Sequence, residues 1–273
     1  MRLQVFRRSS AAEQSAAAKR RPRVPNTVYA IGPVRGQAAL LRKLVERILR
    51  DVPRRPSEQV GADEGAPSTR SRRAKAADLV FLGDLIGSGS DGLGVLDYLQ
   101  ELAAEPALKV TPVLGSQEYR LCRFLSGQCD GARWLGDGGV AFLVSNGVEP
   151  RLGASPFRLR PEVEAVLAHR RALLDAMPPS VTIGDVLFSH GGGAPQVPVK
   201  QQTVEDLVLG VGEGPPRRRS DGLWSVHAGP LVEPLEPDSG SFGLSTGAHY
   251  SQRLVALRID ADGGLGLLEA CLD

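Results

Sequence analysis

Several things that would narrow a role at once are scarce in this chain of 273 residues. It has three cysteines, Cys122, Cys129 and Cys271, an odd count with no C-x-x-C spacing. Neither a disulfide framework nor a zinc site is suggested, and a reducing compartment suits it best. No apolar run approaches the ~20 residues that a bilayer span needs, so no membrane span is expected. Neither sign of charge is in large excess: 33 Lys and Arg against 31 Asp and Glu leave a net +2. That is too little to call for a polyanionic partner, and nucleic acid is not expected. The amino-terminal segment lacks the apolar core of a signal peptide. Arg7-Arg8-Ser9-Ser10 has the opening of a twin-arginine signal but runs into Ala11-Ala12-Glu13-Gln14-Ser15, where hydrophobic residues belong. A cytoplasmic location is the resulting expectation.

What is present is 42% hydrophobic and 23% charged residues, enough for one well-buried α/β domain. Residues 1–24, rich in Arg, Lys, Ala and Ser, read as a disordered basic arm. A single domain is expected over 25–273, with a flexible Pro/Gly/Ser-bearing insertion at 51–76. Val28–Ile31 reads as a strand, and Gln37–Arg50 as a helix with Leu40, Leu41, Leu44, Val45 and Ile48 on one face. The same grammar repeats twice. Leu79–Leu82 leads into a helix over about Gly92–Ala104, and Val110–Leu114 into a helix from Glu118 to Leu125. Strands alternating with helices predict a largely parallel sheet whose functional loops gather at the strand carboxyl ends.

The second half changes character. A helix is expected around Pro161–Ala176, then strands at 181–183 and 186–188 joined by Gly184-Asp185, then a short helix over Val204–Leu209. Strands follow at Leu223–His227, Phe242–Ser245, Arg253–Ile259 and Leu265–Cys271, read as hairpins that supply a second, mixed sheet.

Four loops follow apolar strand runs: Gly32-Pro33-Val34-Arg35-Gly36, Gly83-Asp84-Leu85-Ile86-Gly87-Ser88-Gly89, Gly115-Ser116-Gln117-Glu118 and Ser189-His190-Gly191-Gly192. Supporting stretches are Trp134–Gly139, Gly243–Ala248 and Arg253–Leu257. Their order and spacing resemble the calcineurin-like metallophosphoesterases, in the serine/threonine protein phosphatase branch and its bacterial members. The resemblance covers roughly 28–50 and 78–260. It implies two packed mixed β-sheets flanked by helices, an α/β/β/α sandwich.

Such a family works with two cations about 3.5–4 Å apart, held by converging oxygen and imidazole ligands. The resemblance places Pro33 and Arg35 where an aspartate and a histidine would ligate, Ser116 at an asparagine, Gln117 at the histidine general acid, and Gly229 at the last histidine. Gly87 and Ser88 replace the Asp and the phosphate-clamping Arg of the second loop. Asp84 and His190 alone match ligand positions, so they are vestigial metal ligands in this reading. Proline has no donor atom and guanidinium is a permanent cation, so neither substitutes for a ligand.

The expected function is therefore a catalytically degenerate phosphatase acting as a binding or regulatory module for a protein partner or phospho-ligand, without a cofactor. One alternative is an active phosphoesterase with a single weakly held divalent metal on Asp84 and His190, His227 lending a ligand. Another is a phospho-ligand sensor. Arg35 has two open roles, a structural ion pair with Asp84 or an anion grip. His169 and His249 read as solvated or core side chains, and Arg217-Arg218-Arg219 as a solvated loop.

Overall fold

The computed structural model describes residues 21–52, 76–150, 155–210, 218–231 and 240–272. The expected arm over 1–24 falls outside them up to residue 20, and the expected insertion at 51–76 falls outside them from 53 to 75. Among the described residues, no helix is long and apolar enough to cross a membrane.

Three strand–helix units open the fold: β1 (Thr27–Ile31), α1 (Ala38–Asp51), β2 (Ala77–Phe81), α2 (Gly92–Ala103), β3 (Leu108–Pro112) and α3 (Ser116–Leu125). The five leucine, valine and isoleucine positions singled out on α1 are all fully buried. Period-two alternation then decides where each strand's side chains go. Tyr29, Ile31, Leu79 and Phe81 join the core beneath the helices, while Val28, Ala30, Val80 and Leu82 face the other way into a core shared with β-residues Phe188, Val226 and Leu244. That second core is the seam between two sheets.

The remaining strands are β4 (Ser180–Ile183), β5 (Val186–Ser189), β6 (Trp224–Pro230), β7 (Ser241–Ser245), β8 (Arg253–Ile259) and β9 (Leu265–Cys271). The sheets are ordered β3-β2-β1-β8-β9 and β4-β5-β6-β7. Both are mixed. β1, β2 and β3 run parallel, but β8 pairs antiparallel with β1, and β9 with β8. In the second sheet β4 is antiparallel to β5, and β5, β6 and β7 are parallel.

Three expectations are corrected here. β8 and β9 extend the first sheet instead of the second, so that sheet is not largely parallel. β6 and β7 are parallel neighbours and form no hairpin. The helix expected over 161–176 is broken into Arg160–Leu167 and Arg171–Asp175, because Ala168 takes a positive φ of 46° that no α-helix continues through. The Arg-rich loop also differs: Arg219 is buried, pairing with Asp221 at 2.7 Å and donating to Val197 O at 2.9 Å, while Arg217 lies outside the described residues.

Candidate functional site

The loops after β1, β2 and β3 converge because their backbones are tied to one another. Arg35 N donates to Asp84 O and Gly36 N to Leu85 O, both at 2.7 Å, and Gly89 N donates to Arg35 O at 2.7 Å. Gly83 (φ +76°) packs so closely on the Gly115 backbone that a Cβ there would collide with it. Arg35 and Asp84 themselves hold left-handed φ values of 48° and 49°. A non-glycine residue there is disfavoured by roughly 1–2 kcal/mol, so the surrounding bonds hold both loops in shape.

Glu118 organises the centre of this system. It is fully buried at the start of α3, and its carboxylate accepts from Asp84 N and Leu85 N at 2.8 Å, Ile86 N at 3.1 Å and Gly115 N at 3.2 Å. One side chain thereby closes the second loop onto the third. Burial and the Asp84 charge push its pKa up to about 7.

Asp84 is 1% exposed. Its Oδ1 accepts from Ser116 Oγ at 3.0 Å and Gln117 N at 2.9 Å, and its Oδ2 pairs with Arg35 Nη2 at 2.8 Å. His190, just beyond the carboxyl end of β5, places Nε2 3.5 Å from Asp84 Oδ1. Its Nδ1 lies 2.7 Å from the Leu82 carbonyl, which can only accept, so Nδ1 carries the proton. Burial alone would raise the Asp84 pKa, but His190, Arg35 and the two hydrogen bonds outweigh it and hold the carboxyl below the usual carboxylate range.

The arginine continues outward. Arg35 Nη1 lies 3.1 Å from Asp137 Oδ1, and Arg120 Nη1 on α3 lies 2.7 Å from Asp137 Oδ2. His249, in the helical turn Ala248–Ser251, borders the same group: its pKa is lowered by burial and by the Arg35 charge. It is half-buried. Nothing in the spacing of Arg120, Asp137 and His249 along the chain announced that they would meet Arg35, and only the fold brings them together. Glu118 did carry a signal, as the last residue of Gly115-Ser116-Gln117-Glu118.

Of the other singled-out positions, Pro33 is buried within the first loop and Gly87 lies over the Gln117 side chain, with Ser88 exposed beside it. Gln117 is fully buried and, among the described residues, neither its amide nitrogen nor its oxygen has a partner. His227 directs both ring nitrogens to partners on β6 and β7. Its Nδ1 accepts from Gly229 N at 2.9 Å, which forces the proton onto Nε2, and Nε2 reaches Ser241 Oγ at 2.9 Å. Burial, with His190 nearby, lowers its pKa to about 4. The remaining histidine, His169, stays near the surface 3.9 Å from Asp97.

No protein-family model matches this sequence, and no curated protein does. Solved structures do. One of a protein assigned as a diadenosine tetraphosphatase superposes with a TM-score of 0.59 at 18% identity, over 92% of this chain and 97% of the other. A point mutant of a cold-active protein tyrosine phosphatase gives 0.51 at 17% identity, over 89% and 80%. The fold is the metallophosphoesterase fold. At these identities the likeness fixes architecture alone. Arg35 and Asp84 lie on the loops at the carboxyl ends of β1 and β2, where α/β sheets gather functional loops, and Asp137 reaches them from the turn over Leu135–Gly139.

Proposed function

We propose that this chain is a degenerate phosphatase: a metallophosphoesterase scaffold that has replaced its metal pair with an internal ion pair and acts as a binding or regulatory module. The observation that carries this reading is the 2.8 Å contact between Arg35 Nη2 and the buried Asp84 carboxylate. A guanidinium and a divalent cation compete for the same carboxylate, and the covalently attached one is always present.

The residues available do not fit a dinuclear centre. Both Asp84 oxygens already accept from protein donors, and Pro33 and Gly229 offer no side-chain ligand. His227 spends its ring nitrogens on Gly229 N and Ser241 Oγ. Among the described residues, no three His, Cys, Asp or Glu side chains converge as a metal site. On this reading ligands, general acid and phosphate clamp are replaced together, which removes each separate contribution to hydrolysis. Three unpaired thiols, at Cys122, Cys129 and Cys271, suit work in a reducing, cytoplasmic setting.

A second reading, a single divalent ion on a remodelled site, is favoured by one feature. His190 donates Nδ1–H to a backbone carbonyl, as metal-bound histidines commonly do, and leaves Nε2 facing Asp84. One experiment decides between them: elemental analysis of protein purified without chelator, with aryl phosphate hydrolysis measured in added Mn²⁺ for wild type and Asp84→Asn. The expected result is substoichiometric metal and no turnover. Metal-dependent turnover that Asp84→Asn abolishes would overturn the degenerate-phosphatase reading.

A further inference from the structure

Asp137 is held differently from the rest of the cluster. Arg35 and Asp84 are fixed by interlocked loop backbones, but Asp137 sits in Gly136-Asp137-Gly138-Gly139, inside a turn over Leu135–Gly139. Its own dihedrals (φ −105°, ψ 43°) and those of Gly138 (φ 105°) depart from helix, and a Cβ on Gly136 would meet only open space. The two ends of the turn are anchored. Trp134 is fully buried and stacks on Phe124 at 5.7 Å between ring centroids, and Phe142 and Leu143 are buried in the helix Val140–Ser145. Gly138 packs closely on Ser88 and Gly139 on Trp134, so the turn's backbone is held, but the part-exposed Asp137 carboxylate can rotate about its own side-chain torsions without disturbing the core.

What it touches is a pair of cations. Arg35 and Arg120 come from different elements, are each 21% exposed, and direct one Nη1 apiece at opposite oxygens of the Asp137 carboxylate, itself 43% exposed. Arg35 is aimed by its other nitrogen, Nη2, which stays on Asp84. Asp84 is thus a positioning residue for the outward-facing half of the guanidinium.

We propose that Arg35 and Arg120 form an oxyanion clamp that Asp137 occupies in the free protein, and that a phosphate monoester dianion displaces Asp137 and bridges the two guanidinium groups in its place. The binding is non-covalent and no bond of the ligand is broken. The competition itself selects the ligand. Asp137 is tethered, at an effective concentration on the order of millimolar, so a free carboxylate of equal charge and equal oxygen count gains nothing by replacing it. A phosphate monoester brings a charge of about −1.5 to −2 at pH 7 and three acceptor oxygens, and arginine recognises it bidentately. The surroundings also hold unspent hydrogen-bonding capacity. Gln117 Nε2 and Oε1 and His249 Nδ1 are buried without partners among the described residues. Gln117 lies 3.6 Å from where a Gly87 Cβ would be, and a Cβ on Gly138, next to Asp137, would sit 2.9 Å from Ser88 N.

The inference rests on the reading that no metal pair occupies Asp84, since such cations would expel Arg35. The test is titration calorimetry of the full chain with inorganic phosphate, in EDTA and at constant ionic strength set with sodium chloride, with acetate as the carboxylate comparison. Wild type is expected to bind phosphate weakly and acetate not measurably. Asp137→Ala, which vacates the clamp, should bind phosphate at least about tenfold more tightly, with Asp137→Asn, which keeps the turn's polarity, following in the same direction. Adding Arg120→Ala to Asp137→Ala should abolish the gain. Phosphate affinity unchanged by both Asp137 substitutions, or a gain that survives loss of Arg120, overturns the clamp. Because EDTA removes metal, that result is independent of any Mn²⁺-dependent turnover, which would instead sink the degenerate-phosphatase reading.

Discussion

Glu118, in the first turn of α3, and Asp84, in the loop after β2, are both buried carboxylates, yet the pocket around Glu118 is made of backbone amides and the one around Asp84 mostly of side chains. The difference separates what builds the loops from what the loops present. Amides cannot be exchanged by mutation, so a carboxylate that satisfies four of them is part of the scaffold, whatever chemistry the site performs. Side chains can be exchanged, and on the proposed reading Arg35, Ser116 and Gln117 are the exchanged positions. A fold can therefore keep its loop geometry through Glu118 while the Asp84 side changes partners.

The largest effect should come from the amide pocket. Glu118→Ala leaves the N–H groups of Asp84, Leu85, Ile86 and Gly115 without acceptors, and each orphaned buried donor costs about 1–3 kcal/mol. Loops partly relax, so a total of about 4 kcal/mol or more is expected in chemical denaturation, enough to prevent folding of a marginal domain. If Glu118→Ala costs less than Arg35→Ala, the division between scaffold and presented chemistry is wrong.

Next comes the ion pair. Arg35→Ala strands the Asp84 carboxylate, 1% exposed, with two hydrogen bonds and His190 as remaining support. A loss of about 3 kcal/mol is expected, with the Arg35→Ala and Asp84→Ala costs strongly non-additive in a double-mutant cycle. A cost under ~1 kcal/mol with additive singles would mean that solvent screens the pair.

These expectations show how much was legible beforehand. The opening units were, because α1 writes its buried face in Leu40, Leu41, Leu44, Val45 and Ile48, and because β1 and β2 are short apolar runs before glycine-bearing loops. Sheet membership was not. Alternation in β8 and β9 says that they pair, but only the packing of Leu254 and Ala256 beneath the helices and of Val255 and Leu257 against the second sheet says where. The break at Ala168 was hidden because alanine favours helix and its positive φ is imposed by tertiary context. At the site, Asp84, His190 and Arg35 could be named from loop motifs, whereas Arg120, Asp137 and His249 depend on contacts between segments far apart in sequence. His227 was named as a lender of metal ligands, and the local Gly229 N–H that occupies its Nδ1 is a conformational detail of the β6 bulge.

That histidine gives the next prediction, which contrasts the second sheet with the first. Its pKa falls from 6.5 to about 4 on folding, so the unfolded chain binds the extra proton between those values. Its contribution is therefore complete above about pH 6.5 and is lost as pH falls through 4, a swing on the order of 3 kcal/mol. Glu118 acts in the opposite sense, since a carboxyl raised to about 7 makes the fold less favourable as pH rises through that range. The bare pH–stability curve mixes both, and the difference between wild type and His227→Gln isolates the first. That difference should widen from pH 4 to pH 6.5 in urea titrations. A flat difference would place the His227 ring in water.

The smallest expected effect concerns Asp137, and it is informative because it is small. The carboxylate is 43% exposed and bridges two partly exposed arginines, the setting in which ion pairs contribute little after screening. Asp137→Ala should shift stability by less than ~1 kcal/mol and should leave the Arg35–Asp84 coupling energy intact, because Arg35 Nη2 still meets Asp84. This is what distinguishes a displaceable occupant from a strut. A strut would resemble Glu118, costly to remove and silent toward added anions. A displaceable carboxylate should be cheap to remove, and its loss should be felt in phosphate affinity. If Asp137→Ala destabilises the protein by as much as Arg35→Ala does, the turn over Leu135–Gly139 belongs with the scaffold, and the boundary between the amide-held and side-chain-held halves of the site moves outward to include it.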